Sequence, residues 1–287
     1  MNTFAAVDIG SNAIRVHISH LLETNKGHEF KTVEYMRIPL RLGEDVFTIG
    51  KITQDKIHKL VLLGQSLRNL FKLYDVTDSL VCATSAMREA TNHKEVVEYV
   101  YNCTGFKINV IDGETEAEYT QLALKSFITS GSWLHIDVGG GSTEINLYND
   151  GKKLASHSFR IGAVRMLMKE DVSNTQQEML YWVKAHVPDG KVYSLGTGGS
   201  IGKIYEMAKI TNGEPISLEQ ITEMIQYIDR HSIEDRINIL KLNPDRADVI
   251  VPASDIYLSV MQSVGATIMV VPKVGLSDGM LEVMISG

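Results

Sequence analysis

Two short phrases of one design lie nearly half the chain apart in this 287-residue sequence. The first reads Val7-Asp8-Ile9-Gly10-Ser11-Asn12, the second Ile136-Asp137-Val138-Gly139-Gly140-Gly141-Ser142-Thr143. Each is an apolar run with an Asp, then a Gly/Ser turn, then a second strand-like run, residues 14–18 in one case and 144–148 in the other. A strand–turn–strand unit used twice predicts two related halves facing one ligand. Gly and Ser at such bends let backbone N–H groups converge on an anion. The expected ligand is therefore a phosphate chain with a metal ion.

Strand and helix signals alternate around these phrases, which predicts an α/β fold. In the first half, strands are expected at 4–9, 14–21, 32–42, 80–83 and 107–111. A helix is expected at 53–74, where Ile57, Leu60, Val61, Leu67 and Phe71 fall at helical spacing. Further helices are expected at 94–103, ended by Gly105, and at 114–127. The second half predicts strands at 134–138, 144–148, 153–159, 191–195 and 266–271. It predicts helices at 175–185, 201–209 and 276–285, and one at 218–230 with Ser217 as its N-cap. No low-complexity linker separates the halves. The expected domains are 1–121 and 122–275, with a C-terminal helix at 276–287 packing back on the first, and a cleft shared between them.

Composition narrows the function classes. Hydrophobic residues at 44% and charged residues at 22% suit a packed core rather than a disordered chain. No apolar run approaches the roughly 18 to 20 residues of a membrane span, and the start of the chain lacks the basic-then-apolar layout of a signal peptide. The two cysteines, Cys82 and Cys103, read as reduced thiols. These features predict a cytoplasmic protein without a membrane partner. The net charge of −7 argues against broad nucleic-acid binding, so any polyanion site must be a local basic patch on an acidic body.

Each candidate residue has a plainer alternative. Asp8 and Asp137 could each cap their turn, but two in matched context favour holding a hard cation such as Mg2+, which binds through a few carboxylates, waters and substrate phosphates. Gly139-Gly140-Gly141-Ser142-Thr143 lacks the Lys of a P-loop; it is a flexible hairpin or a phosphate contact, and the matched turn at Gly10-Ser11-Asn12 favours phosphate. Gly196-Thr197-Gly198-Gly199-Ser200 follows a strand and opens a helix, a place that attracts anions and also serves tight packing. The acids of Asp112-Gly113-Glu114-Thr115-Glu116-Ala117-Glu118 contain a group that could deprotonate water, yet by composition they read as the negative first turn of a helix. Arg88 follows a buried strand, where α/β proteins place ligand groups, and Arg suits phosphate oxygens. Arg15 and Arg165 are weaker candidates, since a single Arg is more often a surface residue. His17 and His20 face opposite sides of a strand, which argues against a shared metal.

Together these segments resemble the exopolyphosphatase/guanosine pentaphosphate phosphohydrolase family of the actin–sugar kinase–Hsp70 ATPase superfamily. The resemblance runs from Val7 to Met284 and adds three further segments: Arg41-Leu42-Gly43-Glu44, Ala83-Thr84-Ser85-Ala86-Met87-Arg88-Glu89-Ala90 and Arg246-Ala247-Asp248-Val249-Ile250. It implies two actin-like (ribonuclease H-like) α/β domains flanking a central cleft, and Mg2+-dependent removal of a terminal phosphate from polyphosphate or pppGpp. It implies Glu116 as the water-activating base, with Glu144 assisting it or binding the metal beside Asp8 and Asp137. It implies Ser11, Asn12, Arg88, Gly140, Gly141, Ser142, Gly198 and Gly199 around the phosphates, and a homodimer as a family-level expectation. Three departures stand out. Ala13 takes a place where Ser is usual, Ser277 one where Arg is common, and Ser254 one where Gly is common; the last two bear on any nucleoside pocket. The chain also ends soon after the second domain, the pattern of a short-form member, for which shorter polyphosphates are the expected substrates. The expected activity is an exopolyphosphatase. Its alternatives are a pppGpp 5′-phosphohydrolase, an actin-like ATPase or sugar kinase, and a non-catalytic sensor of (p)ppGpp or polyphosphate.

Overall fold

The computed structural model describes residues 2–25, 27–169, 172–211 and 213–286. These divide into two compact units, one reaching to Ala123 and resuming at Gly275, the other Leu124–Val274. No helix among the described residues is long and apolar enough to cross a membrane.

In unit 1 the elements run β1 (Thr3–Ile9), β2 (Ile14–Thr24), β3 (Gly27–Ile38), α1 (Leu42–Ile49), α2 (Gln54–Leu73), β4 (Val76–Ala83), α3 (Ser85–Glu89), α4 (His93–Thr104), β5 (Asn109–Val110) and α5 (Gly113–Leu124). Unit 2 continues with β6 (Ser132–Val138), β7 (Thr143–Asn149), β8 (Lys152–Phe159), α6 (Ala163–Leu167), α7 (Ser173–His186), β9 (Val192–Thr197), α8 (Gly199–Met207), β10 (Ile216–Ser217), α9 (Leu218–Asp229), α10 (Ile233–Asn238), α11 (Pro244–Ala247), α12 (Ile250–Ser263) and β11 (Ile268–Val270). The closing helix α13 (Leu276–Ser286) belongs to unit 1.

The two sheets share one topology. Unit 1 has the order β3-β2-β1-β4-β5; unit 2 has β8-β7-β6-β9-β11, with β10 added at the far edge. In each, the first three strands form an antiparallel meander, and the strands beyond pair in parallel with the first. β1 is buried along its whole length, as expected of a central strand covered on both faces. One face of the unit 1 sheet packs Val7, Ile9, Leu60, Leu67 and Val81 into a large core. The other packs Phe4, Ala6 and Cys82 against Leu276, Met280 and Leu281 of α13. A methyl at Gly279 would overlap the backbone of Tyr119, so α13 crosses α5 at close range.

Most predicted elements are present, and the main differences are these. The strand expected at 32–42 starts earlier, at Gly27, and ends at Ile38; Leu42 instead opens α1, because Arg41 enters the left-handed region (φ 53) and Leu42, Gly43 and Val46 turn inward at helical spacing. Residues 85–89 and 163–167 form one-turn helices too short to show a period. α12 was not expected: its sequence is apolar on most sides because it packs against α6, α7, α8, α9 and β6. Ser217 caps α9 as predicted, its hydroxyl accepting the Gln220 N–H while Gln220 returns the bond in a capping box.

Candidate active site

The matched turns are held by the same device. In unit 1, Gly10 donates to the Ala13 carbonyl at 3.2 Å, while the carbonyls of Ser11 and Asn12 accept from Gly43 (2.8 Å) and Arg41 (2.9 Å) at the start of α1. In unit 2, Gly139 donates to Ser142 at 3.0 Å, and the carbonyls of Gly139 and Gly140 accept from Ala163 (3.0 Å) and Val164 (2.8 Å) at the start of α6. The Gly141 carbonyl takes the Nε–H of Arg165 at 2.9 Å. Three carbonyls of the second turn are thus drawn back onto α6. The approach is close: a Cβ on Gly162 would lie 2.7 Å from the Gly140 carbonyl oxygen.

Arg165 corrects its sequence reading as a surface residue. It is 1% exposed and props the glycine turn from behind. Ser11 is buried behind its turn. Its buried hydroxyl accepts the Ala86 N–H at 3.2 Å and bonds the Ser85 hydroxyl at 2.8 Å, tying the turn to α3.

At the carboxyl end of the parallel strands of unit 1, Asp8 stands beside Cys82 on β4 and beside Arg15 on β2. Arg15 Nη1 reaches Asp8 Oδ2 at 2.8 Å. Burial, and then the carboxylates of Asp8 and Glu116, push the Cys82 thiol up to about 12, which brings Glu116 to the same end of the sheet. The acid cluster of α5 is resolved by position. Glu114 and Glu118 are exposed, while Glu116 is half-buried. Asp112 caps the helix through the Thr115 N–H at 2.8 Å, and that hydrogen bond holds its carboxyl below the usual range. Arg88 donates to the Ile111 carbonyl at 2.7 Å, with its Nη1 3.7 Å from Glu116 Oε2.

In unit 2 the matched row reads differently. Asp137 is paired across the hairpin with Glu144 and, on its other side, with Thr197. Directly opposed residues of an antiparallel pair project to the same face, so two carboxylates sit side by side where unit 1 has Asp8 and Arg15. Glu144 is buried and its Oε1 accepts the Ser158 hydroxyl at 2.8 Å. Gly198, at φ 109, folds over this end of the sheet; a Cβ there would lie 3.1 Å from Asp137 Oδ1. One layer below, a buried polar file runs Ser156–Asn146–His135–Thr197, at 2.6, 3.0 and 2.8 Å. Burial lowers the His135 imidazole to about 3, so it is neutral.

A metal fits unit 2 in one mode. Among the described residues no three His, Cys, Asp or Glu side chains converge into a ready-made cage. Two adjoining carboxylates are hard oxygen donors of the kind that hold Mg2+ jointly with substrate phosphates. Asp8, by contrast, is engaged by Arg15. His17 and His20 bond different partners, Thr32 and Thr3. The buried file at His135 was not foreseen from the sequence, since of its members only Thr197 lies in a glycine-rich motif.

The class of the molecule follows from the fold. It is an α/β protein of two actin-like units, and its structure superposes on that of an exopolyphosphatase from Cytophaga hutchinsonii with a TM-score of 0.84, at 20% identity, over 100% of this chain and 98% of the other. The chain belongs to the Ppx/GppA phosphatase family, whose model matches residues 21–286. It is 24% identical to exopolyphosphatase 1 of Mycobacterium tuberculosis over 96% of this chain and 86% of that protein. It is 25% identical to the guanosine-5′-triphosphate,3′-diphosphate pyrophosphatase of Pseudoalteromonas translucida over 98% of this chain and 58% of that protein. Against the bifunctional 3-dehydroquinate synthase/phosphatase of Fusobacterium nucleatum it is 25% identical over 99% of its own length, and it spans only 46% of that longer protein. Its enzymatic class is thus that of the family, a hydrolase of phosphoanhydrides.

Proposed function

We propose that this protein is an exopolyphosphatase that releases the terminal phosphate of inorganic polyphosphate with Mg2+. The observation carrying this reading is the Gly139–Ser142 turn, whose first three carbonyls are bonded to α6, a geometry that suits the reading of phosphate oxygens by peptide N–H groups. Such a surface reads phosphate oxygens through the backbone, and a polyphosphate chain offers little else to read. The exopolyphosphatase relative, 24% identical over 96% of this chain, supports this reading.

Glu116 takes the proton of the attacking water, and its half-buried place beside Arg88 keeps it aimed rather than solvated. The N–H groups of Gly140, Gly141 and Ser142, with those of Gly198 and Gly199 at the start of α8, receive charge on the non-bridging oxygens. Preorganised donors of this kind supply most of the stabilisation in phosphoryl transfer. On unit 1, Asn12 and Arg88 are the groups proposed to contact phosphate. Asp137 and Glu144 hold Mg2+, which supplies charge neutralisation to the bound phosphates.

The test is phosphate release with Mg2+ from tripolyphosphate, long-chain polyphosphate and pppGpp in parallel. Release from the polyphosphates is expected, and Glu116→Gln should lower it by roughly 10²- to 10⁴-fold while tripolyphosphate binding by calorimetry is retained. Near-normal turnover in that variant would remove Glu116 from the role of base. Release from pppGpp alone would establish the guanosine pentaphosphate reading, which the Pseudoalteromonas relative supports. Binding without release from any substrate would make the protein a sensor.

A further inference from the structure

We infer that Tyr257 is a positioning residue that locks the two phosphate turns of unit 2 to each other, an inference that rests on the reading of those turns given above. Tyr257 lies on α12 and is fully buried. Its hydroxyl accepts the Val138 N–H at 3.1 Å and donates to the Thr197 carbonyl. Val138 is the last residue of β6, immediately before Gly139; Thr197 is the last of β9, immediately before Gly198.

Unit 1 shows what this hydroxyl replaces. There the parallel ladder between β1 and β4 continues through Ile9 and Ala83, and Thr84 N–H closes directly on the Ile9 carbonyl at 3.1 Å. In unit 2 the ladder between β6 and β9 stops one step earlier, at Asp137 and Thr197. The phenol is inserted at the point where the strands part. A tyrosine hydroxyl carries one donor and can also accept, so one group satisfies the two main-chain groups that the parted strands would leave buried. Thr197 is held a second time from below, through its hydroxyl, by His135 at 2.8 Å. Gly198 then passes over the phenol so closely that a Cβ would lie 2.8 Å from its oxygen and 2.9 Å from the Val138 carbonyl. The spacing of the Gly139 and Gly198 turns is thereby set by one side chain that touches no substrate.

The experiment compares wild type with Tyr257→Phe, which keeps the ring and removes both hydrogen bonds. Without substrate, hydrogen exchange is expected to speed up about tenfold or more at amides 138–142 and 197–200, with amides 10–13 of unit 1 unchanged as the internal control. With tripolyphosphate and Mg2+, kcat is expected to fall about 10- to 100-fold, as for a misplacement of the order of 1 Å, with KM within about threefold. Tyr257→p-aminophenylalanine, which retains a donor and an acceptor at that position, is expected to recover most of kcat. Unchanged exchange in Tyr257→Phe overturns the lock. Faster exchange with unchanged kcat overturns its part in the reaction. If wild type hydrolyses no phosphoanhydride, the functional reading fails, and the exchange data still decide the lock. A further measurement does not depend on the variant folding: the wild-type Val138 amide is expected to be protected like the interior of β6, and exchange at the rate of an exposed turn overturns the lock.

Discussion

The two hairpins share a backbone and differ in almost every polar side chain. Across matched rows, unit 1 sets Cys82, Asp8, Arg15 and Arg37 side by side, while unit 2 sets Thr197, Asp137, Glu144 and Ser158. One row lower, Ala6, His17 and Tyr35 of unit 1 correspond to His135, Asn146 and Ser156 of unit 2. Unit 1 neutralises its bend Asp with an Arg at 2.8 Å. Unit 2 places a second carboxylate at that position, where it accepts the Ser158 hydroxyl, and sets a neutral histidine in the row below. The comparison teaches that the same hairpin geometry can carry opposite charge sets, because the residue paired with the bend Asp is chosen on the neighbouring strand. Two adjoining carboxylates are donors that suit a hard cation, whereas in unit 1 the bend Asp is paired with an Arg.

The largest effect that would sharpen this contrast lies in the glycines. Gly198→Ala places a Cβ at φ 109 within 2.8–3.1 Å of Tyr257, Val138 and Asp137, and is expected to cost about 3 kcal/mol or more. Gly10→Ala meets only the Ala13 carbonyl at 3.0 Å among its nearest atoms and is expected to cost about 1 kcal/mol. Equal shifts in thermal unfolding would break the argument that the chain is packed more tightly at Gly198 than at Gly10.

A second test uses the buried histidine. Folding lowers the His135 pKa to about 3, so between the unfolded value near 6.5 and about 3 the unfolded chain binds a proton that the folded chain refuses. The stability conferred by this site is therefore full above about pH 6.5 and declines as pH falls, by up to about 1.4 kcal/mol per pH unit. Denaturant titrations across pH 4–7 should show a shallower slope in His135→Gln. An unchanged slope would mean that the file beneath Asp137 is not held in the neutral form.

The smallest expected effect is the most direct. Arg15→Gln removes the ion-pair partner at 2.8 Å from Asp8, whose side chain is 5% exposed, and should lower stability by about 1–2 kcal/mol. Glu144→Gln relieves a like-charge pair and should leave stability without Mg2+ unchanged, or raised by up to about 0.5 kcal/mol. The same sign for both would show that the two rows are electrostatically alike.

How much of this was legible in the chain depends on range. The repeated Asp–turn phrase, the paired strands, the Ser217 cap and the family signature are local patterns, and a single sequence displays them. α1 was obscured because Leu40 and Leu42 prolong the apolar alternation of a strand; Pro39 was the local signal that β3 ends at Ile38, and the left-handed turn at Arg41 then opens the helix. β3 was read too short because its exposed start, from Gly27, lacks the alternation that marks a half-buried strand. Glu116 could not be separated from Glu114 and Glu118 by composition; the helix face that α5 turns inward separates them.

What the sequence determined by itself is the repeated turn chemistry: glycine where the backbone must bend tightly, Asp beside it, and an alternation of strands and helices that leaves few folds open. What only the tertiary structure decided is which side chains meet. Asp8 finds Arg15 and Asp137 finds Glu144 through strand register. Arg165 is buried behind a turn from more than twenty residues away, and Tyr257 joins two strand ends from a helix much later in the chain. The physical reason is that backbone bends are set by the residues that make them, whereas the partner of a buried polar group is set by whichever element packs over it, and that choice is made only when the core closes.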